Sequence, residues 1–204
     1  MLTPERLIEL EQHFGGLHQV PRQRSSPHQK DLPKYPNMQG GDRMGPPPAH
    51  GYADVYTREL QRFVGRENLT IVEIGVLRGT GLAIWSKIFP QADIIGLDID
   101  TRNFDYAGLK RLGAFEHKDP LVQYADQYGL LPEFIGNLLQ GKKIDIVIDD
   151  GCHRVAAIRK TYNAMRNYLA DEFVYIVEDT PAFYNSVPIG MEVECYGDMI
   201  VIKR

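Results

Sequence analysis

Residues 70–89 read TIVEIGVLRGTGLAIWSKIF, an apolar run, a glycine-rich turn and a helical pattern in succession. TIVEIGV (70–76) is an apolar run rich in β-branched residues, the pattern of a buried strand. TGLAIWSKIF (80–89) carries apolar residues at helical spacing. Between them Gly75, Gly79 and Gly81 supply the tight turn and the bare backbone that let a ligand come close. The spacing is Gly-x3-Gly-x-Gly rather than GxGxxG, so a nicotinamide-type pyrophosphate cradle is not predicted. Glu73, two residues before the first glycine, would repel a pyrophosphate and attract a cationic ligand.

Downstream of this unit strands and helices alternate. DIIGLDI (93–99) reads as a second strand, YAGLKRL as a short helix and AFEHKD (114–119) as a third strand. LPEFIGNLLQ is helical, IDIVIDD (144–150) a fourth strand, VAAIRKTYNAMRNYL a helix and FVYIVED (173–179) a fifth strand. MEVECYGDMIVIKR closes the chain as a β-hairpin around Tyr196-Gly197-Asp198. Alternating strands and helices predict an α/β fold: a Rossmann-like, mostly parallel seven-stranded sheet with a C-terminal antiparallel hairpin, helices on both faces and right-handed crossovers. In such sheets ligands sit at the carboxyl ends of the strands. The candidate acids all fall there in this reading: Glu73, Asp98, Asp100, Asp119, Asp149, Asp150, Glu178 and Asp179.

Upstream the pattern differs. TPERLIELEQHF begins like a capped helix, with Thr3 as N-cap and Pro4 at the first helical position. The following segment up to residue 50 is rich in proline and glycine and lacks apolar periodicity. Residues 1–50 are therefore expected to form a helix and an arm or lid. Its Arg22, Arg24, Lys30, Lys34 and Tyr35 favour a lid, and Asp31, Tyr35, Asn37 and Asp42 can hydrogen-bond a polyol. An arm that orders against a second subunit, giving a homodimer, is the alternative. ADVYTRELQRFV (53–64) is again helical.

The 204 residues are 43% hydrophobic and 25% charged, with a formal net charge of −4. No broad basic field is present to hold a nucleic-acid backbone, so nucleic acid is not an expected partner. Two cysteines without zinc spacing read as reduced thiols. No apolar run is long enough to span a membrane, and the N-terminus lacks a secretory pattern, so a cytoplasmic location is expected.

Asp98 follows Gly79 at the end of the next strand, where an acid accepts hydrogen bonds from ribose hydroxyls. With Glu73 before the turn, the pair points to S-adenosylmethionine (SAM). VEIGVLRGTGLAIWSKIFPQADIIGLDID resembles the first two motifs of class I SAM-dependent methyltransferases. HGYADVY (50–56), IDDGCH (148–153) and IVEDT (176–180) are similar to a narrower group, the metal-dependent sugar O-methyltransferases that act on macrolide deoxysugars or methylmannose polysaccharide. The resemblance covers roughly residues 44–180 and marks 51–204 as the SAM-dependent domain. It implies that Gly75 and Gly79 line the methionine end of SAM, with Glu73 near its ammonium and Asp98 on the ribose. Asp119 and His117 are placed near the adenine, with Lys118-Asp119 standing where the family has Gly-Asp. Tyr52, beside His50, is a further candidate contact for SAM or acceptor.

Asp150, Glu178 and Asp179 are three hard oxygen donors at neighbouring strand ends. That set suits Mg²⁺, with Mn²⁺ able to substitute. Such an ion would lower the pKa of an acceptor hydroxyl, and His153, three residues after Asp150, can take the proton. The resemblance implies the same four roles. Adjacent strand residues face opposite ways, so Asp149 is read apart from Asp150, either toward the methionine end of SAM or toward the following helix. Each residue alone has a plainer reading, as a helix N-cap or solvated loop acid. Cys152 has no oxyanion motif beside it and is given no catalytic role. The expected activity is SAM- and Mg²⁺-dependent O-methylation of a small-molecule or oligosaccharide sugar hydroxyl, such as a glycoside, a glycosylated natural product or a polysaccharide precursor. A metal-dependent methyltransferase of a catechol-like phenol and a non-catalytic SAM-binding module are the alternatives.

Overall fold

All five residues of β3 (Thr70–Ile74) are buried, as expected for a strand covered on both faces. In the computed structural model, residues 1–15, 19–21, 37–39, 42–46, 49–187 and 190–204 are described. Around β3 lie β4 (Asp93–Asp98), β5 (Leu121–Tyr124), β6 (Ile144–Asp149), β7 (Leu169–Val177), β8 (Glu192–Tyr196) and β9 (Met199–Lys203). They form one seven-stranded sheet in the order β5-β4-β3-β6-β7-β9-β8. The first five strands run parallel, and β9 pairs antiparallel with both β7 and β8. Tyr196 pairs Met199 across a two-residue loop whose Gly197 has φ +60°, as tight hairpin loops demand. β1 (Gln19–Pro21) and β2 (Asn37–Gln39) pair antiparallel as a separate two-stranded sheet.

Strand alternation divides the core in two. Ile71, Ile146, Ile148 and Ile176 face one side, against α1 (Pro4–Gly15), α2 (Ala53–Leu60) and α3 (Thr80–Ile88), with Leu10, Tyr56 and Trp85 fully enclosed. Val72, Ile74, Val147 and Tyr175 face the other, against α5 (Pro132–Leu139) and α6 (Val155–Met165). This parity governs the site. Glu73 shares the face of Ile71, Glu178 continues that of Ile176, and Asp150 that of Ile148. Asp149 lies on the face of Val147.

Thr3 caps α1 as expected, its Oγ1 accepting from Arg6 N at 3.2 Å. The helix packs on α3 and enters the same core through Leu7, Leu10 and Phe14. Arg22, Arg24, Lys30, Asp31, Lys34 and Tyr35 lie outside the described residues.

The third strand departs from the expectation. Residues 114–119 are not a strand, and β5 begins at Leu121. Ala114 and Phe115 are buried because they plug a loop beside α3 and α4 (Tyr106–Arg111): Phe115 stacks on Tyr106, ring centroids 5.9 Å apart, and its N–H donates to Ser86 Oγ. True β5 is an edge strand with exposed side chains, so its apolar signal is weak.

Candidate active site at the carboxyl edge of the sheet

The strand order reverses between β3 and β6, and there the carboxyl ends of both strands meet. Asp150 N donates to Ile74 O at 2.9 Å and Glu178 N to Asp149 O at 3.1 Å, so hydrogen bonds between neighbouring strands fix the acids relative to one another. Gly75 has φ +88°, and an added Cβ would stand 2.0 Å from the Asp150 carbonyl oxygen. Only glycine lets the two strand ends pass this closely.

Glu73 is buried, accepts from Trp85 Nε1 at 2.6 Å and lies under Gly81, where a Cβ would meet its carboxylate at 2.2 Å. Burial raises its pKa, opposed by Arg43 and the Trp85 hydrogen bond. Asp98 Oδ2 accepts from Val76 N and Leu77 N at 2.7 and 2.9 Å, and Oδ1 from Asp100 N at 2.7 Å. The acid thus holds the glycine loop in shape. Gly79 caps α3 with φ +91°.

Past the strands the backbone turns sharply. His153 and Asp179 both have positive φ, +53° and +55°. Such conformations in residues other than glycine hold strain and concentrate at functional sites. The consecutive acids Glu178 and Asp179 face different ways, Glu178 inward to Arg43 and Tyr56 and Asp179 to Tyr52 and His50. Asp150, His153 and Asp179 each bring one ligand atom within 4.8 Å of the others. His153 Nε2 stands 3.7 Å from Asp150 Oδ1, and both side chains are partly open to solvent. Asp179 Oδ1 accepts from Tyr52 OH at 2.6 Å and lies 3.3 Å from His50 Nδ1. Two carboxylates and an imidazole at open positions are a donor set that can hold a divalent cation.

Glu178 lies apart from the open acids. Its side chain is 3% exposed; Tyr56 OH donates to Oε1 and Arg43 Nε to Oε2 at 3.0 Å. It therefore stands outside the Asp150–His153–Asp179 cluster. Burial pushes its pKa well up, against the opposing pull of Arg43.

Asp149 takes the second of its two readings, on the side of the following helix α6, to which Gln127 links it through Thr161. Its parity sends its side chain to the face opposite that of Asp150. Oδ1 accepts from Gln127 Nε2 at 2.8 Å and Oδ2 from Tyr175 OH at 3.1 Å. Gln127 Oε1 in turn accepts from Cys152 N at 2.8 Å, beside a Gly151 whose Cβ would stand 2.2 Å from that same oxygen. This buried network clamps the turn that presents Asp150 and His153. Burial raises the Asp149 pKa to about 6 from 3.8, despite the hydrogen bonds from Tyr175 and Gln127 that lower it. Between those values the folded protein binds more protons than the unfolded chain, so this acid's contribution makes stability fall as pH rises. Above pH 6 the cost reaches on the order of 3 kcal/mol. Asp149→Asn should remove that slope, and urea unfolding from pH 4 to 7 checks it. Wild type should lose stability relative to the variant as pH rises, whereas parallel curves would show an acid that ionises equally well in both states.

Asp119 is a correction of the expected placement after the third strand. It precedes β5 and so enters the strand at the edge opposite the site, exposed and paired with Lys110 at 2.6 Å. The carboxyl end of β5 carries Ala125, Asp126 and Gln127 instead; Asp126 accepts from Tyr128 N. Tyr52 is placed at Asp179, stacked on His50, rather than on the glycine turn.

Sequence reasoning missed Gln127, Tyr56 and Arg43. Arg43 Nη2 reaches Glu73 at 3.2 Å and Asp150 at 2.7 Å, while its Nε holds Glu178. Burial disfavours its charge, but Glu178 and Glu73 outweigh that and keep it a cation. The only cue was indirect: several acids on one edge require a counter-charge, and no motif says which residue supplies it.

No family model matches the chain. Among curated proteins it is similar to L-olivosyl-oleandolide 3-O-methyltransferase of Streptomyces antibioticus, 27% identical over 66% of this chain and 34% of that protein. It is 29% identical to 8-demethyl-8-alpha-L-rhamnosyl tetracenomycin-C 2'-O-methyltransferase of Streptomyces olivaceus, over 71% of this chain and 36% of that one. Mycinamicin VI 2''-O-methyltransferase of Micromonospora griseorubida is 27% identical over 64% and 31%. The chain spans about a third of the length of these relatives. Among solved structures, MycE methyltransferase from the mycinamycin pathway, in complex with Mg, SAH and mycinamycin VI, superposes with TM-score 0.60 at 21% identity, covering 76% of this chain and 50% of that one. The rRNA methyltransferase aviRa from Streptomyces viridochromogenes gives 0.51 at 16% identity over 92% and 94%. The strand order, the glycine turn at the reversal point and these neighbours together identify the fold as that of the class I methyltransferases.

Proposed function

We propose that the chain carries a SAM- and divalent-metal-dependent O-methyltransferase activity toward a sugar hydroxyl, with a glycosylated small molecule as acceptor. The observation that carries this reading is the meeting of Asp150, His153 and Asp179 on strained turns beside the glycine loop. The sugar O-methyltransferases among its relatives support the acceptor class. SAM supplies a methyl already activated on a positively charged sulfur, and Gly75, Gly79 and Asp98 shape the turn that would hold it. A divalent ion at Asp150 and Asp179 would supply the lowered hydroxyl pKa and the orientation that an alcohol needs.

The remaining chemistry belongs to the protein. His153 Nε2 lies beyond hydrogen-bond length from Asp150, so it can turn to the acceptor and take its proton. His153 would take the acceptor O–H proton as the methyl passed from the SAM sulfur to that oxygen, leaving a methyl ether, neutral S-adenosylhomocysteine and an imidazolium that Asp150 would stabilise by charge. The Gln127–Asp149–Tyr175 network keeps the histidine turn in place.

Binding of S-adenosylhomocysteine tests the first half. At about a hundredfold over its Kd it should add roughly 2.7 kcal/mol of stability. For a chain of this size that raises the melting temperature by about 5–10 °C. No shift at millimolar ligand would remove the SAM reading.

A further inference from the structure

Arg43 lies in no helix or strand, yet its backbone is held firmly. Glu11 of α1, itself buried, accepts from Arg43 N at 2.9 Å, Met44 N at 2.7 Å and Gly45 N at 3.2 Å. Tyr52 N donates back to Arg43 O at 3.0 Å, and Met44 is sunk in the core. From this anchored position the guanidinium enters a cleft between three strand ends, 11% exposed, and contacts Glu73, Asp150 and Glu178.

The consequence is an accounting of oxygens. Glu178 has one oxygen on Tyr56 and the other on Arg43. Asp150 has Oδ2 on Arg43, which leaves Oδ1 toward His153. Asp179 bonds neither Arg43 nor Tyr56 and meets Tyr52 and His50 instead. A divalent ion therefore finds two acids available rather than three. It also finds a fixed positive charge on the same Asp150 carboxylate, and like charges held that near oppose one another.

We infer that Arg43 sets the strength and the ligand set of the cation site: as a built-in cation it takes Glu178 and one oxygen of Asp150, leaving Asp150 Oδ1 and Asp179, beside His153, to hold a divalent ion. The inference rests on the proposed cation site. It differs from a three-acid centre, in which Glu178 is a direct ligand and nothing competes for Asp150.

Manganese alone is the probe, titrated into the full chain and followed by the electron paramagnetic resonance of the free ion. Arg43→Met should bind Mn²⁺ at least roughly tenfold tighter than wild type, and Arg43→Lys, which keeps the charge, should stay within about threefold. Glu178→Gln should also stay within about threefold, whereas Asp179→Asn should lose about tenfold or more. A folded Arg43→Met variant that binds no more tightly than wild type overturns the inference and leaves the cation site standing. Equal losses in Glu178→Gln and Asp179→Asn overturn it too, by making Glu178 a ligand, and this pair decides the matter if Arg43→Met does not fold. Absence of Mn²⁺ binding in wild type and every variant overturns the cation reading and this inference with it, while the S-adenosylhomocysteine shift reports separately on the SAM site.

Discussion

Replacing His153 with alanine is expected to lower the rate of methyl transfer by about 10²–10⁴-fold, the range lost when a positioned general base is removed. The residue sits on a turn with φ +53°, a conformation that costs stability and persists only because the surrounding structure imposes it. Gln127, bonded to Cys152 N and Asp149, is the part of that structure which holds the turn. The imidazole faces Asp150 and Asp179 across a partly open space, where an acceptor hydroxyl can enter. His153 makes no contact with Glu73, Asp98 or the glycine turn among the described residues. The variant should therefore keep its affinity for S-adenosylhomocysteine while losing turnover. Single-turnover transfer of labelled methyl, with ligand affinity measured in parallel, separates the two effects. A loss below about tenfold would mean that another group, or solvent, takes the proton.

Gly75→Ala should have the largest effect on stability. A methyl group there would overlap the Asp150 carbonyl oxygen at 2.0 Å and its carbon at 2.6 Å. These are backbone atoms of a central strand end, held by Asp150 N to Ile74 O, and they have no rotamer by which to move aside. The φ of +88° adds strain for any residue with a Cβ. Together these should cost at least about 4 kcal/mol, the range reserved for overpacking at a special backbone position. Gly197→Ala supplies the contrast. That glycine also has positive φ, but nothing lies within 4 Å of its would-be Cβ, so the loss should be about 1 kcal/mol. Urea unfolding of both variants checks the account. Equal losses would show that φ alone, and not the close passage of β3 and β6, makes Gly75 necessary.

The parts of the site that could be read from sequence were those written in strand parity and turn chemistry. Alternation in IDIVIDD separated Asp149 from Asp150, and the structure sends them to opposite faces, one to Gln127 and Tyr175 and the other to Arg43 and His153. The same rule applied to FVYIVED sends Glu178 inward, and a left-handed turn at Asp179 brings the next acid out. Sequence could not say which acid of the pair the turn would bring to the open edge. Asp119 was misplaced because buried loop residues, Ala114 and Phe115, imitate a strand more strongly than the exposed edge strand that follows. Arg43 was illegible for a different reason. Its partners lie 30, 107 and 135 residues away, and a lone arginine in a proline- and glycine-rich stretch has no periodicity to reveal it.

Methyl transfer from SAM to a panel of glycosides by the full chain, with and without EDTA, decides the proposed activity. The expected result is methylation of a sugar hydroxyl that is abolished by the chelator and restored by Mg²⁺ or Mn²⁺. Transfer that continues undiminished in EDTA would contradict it.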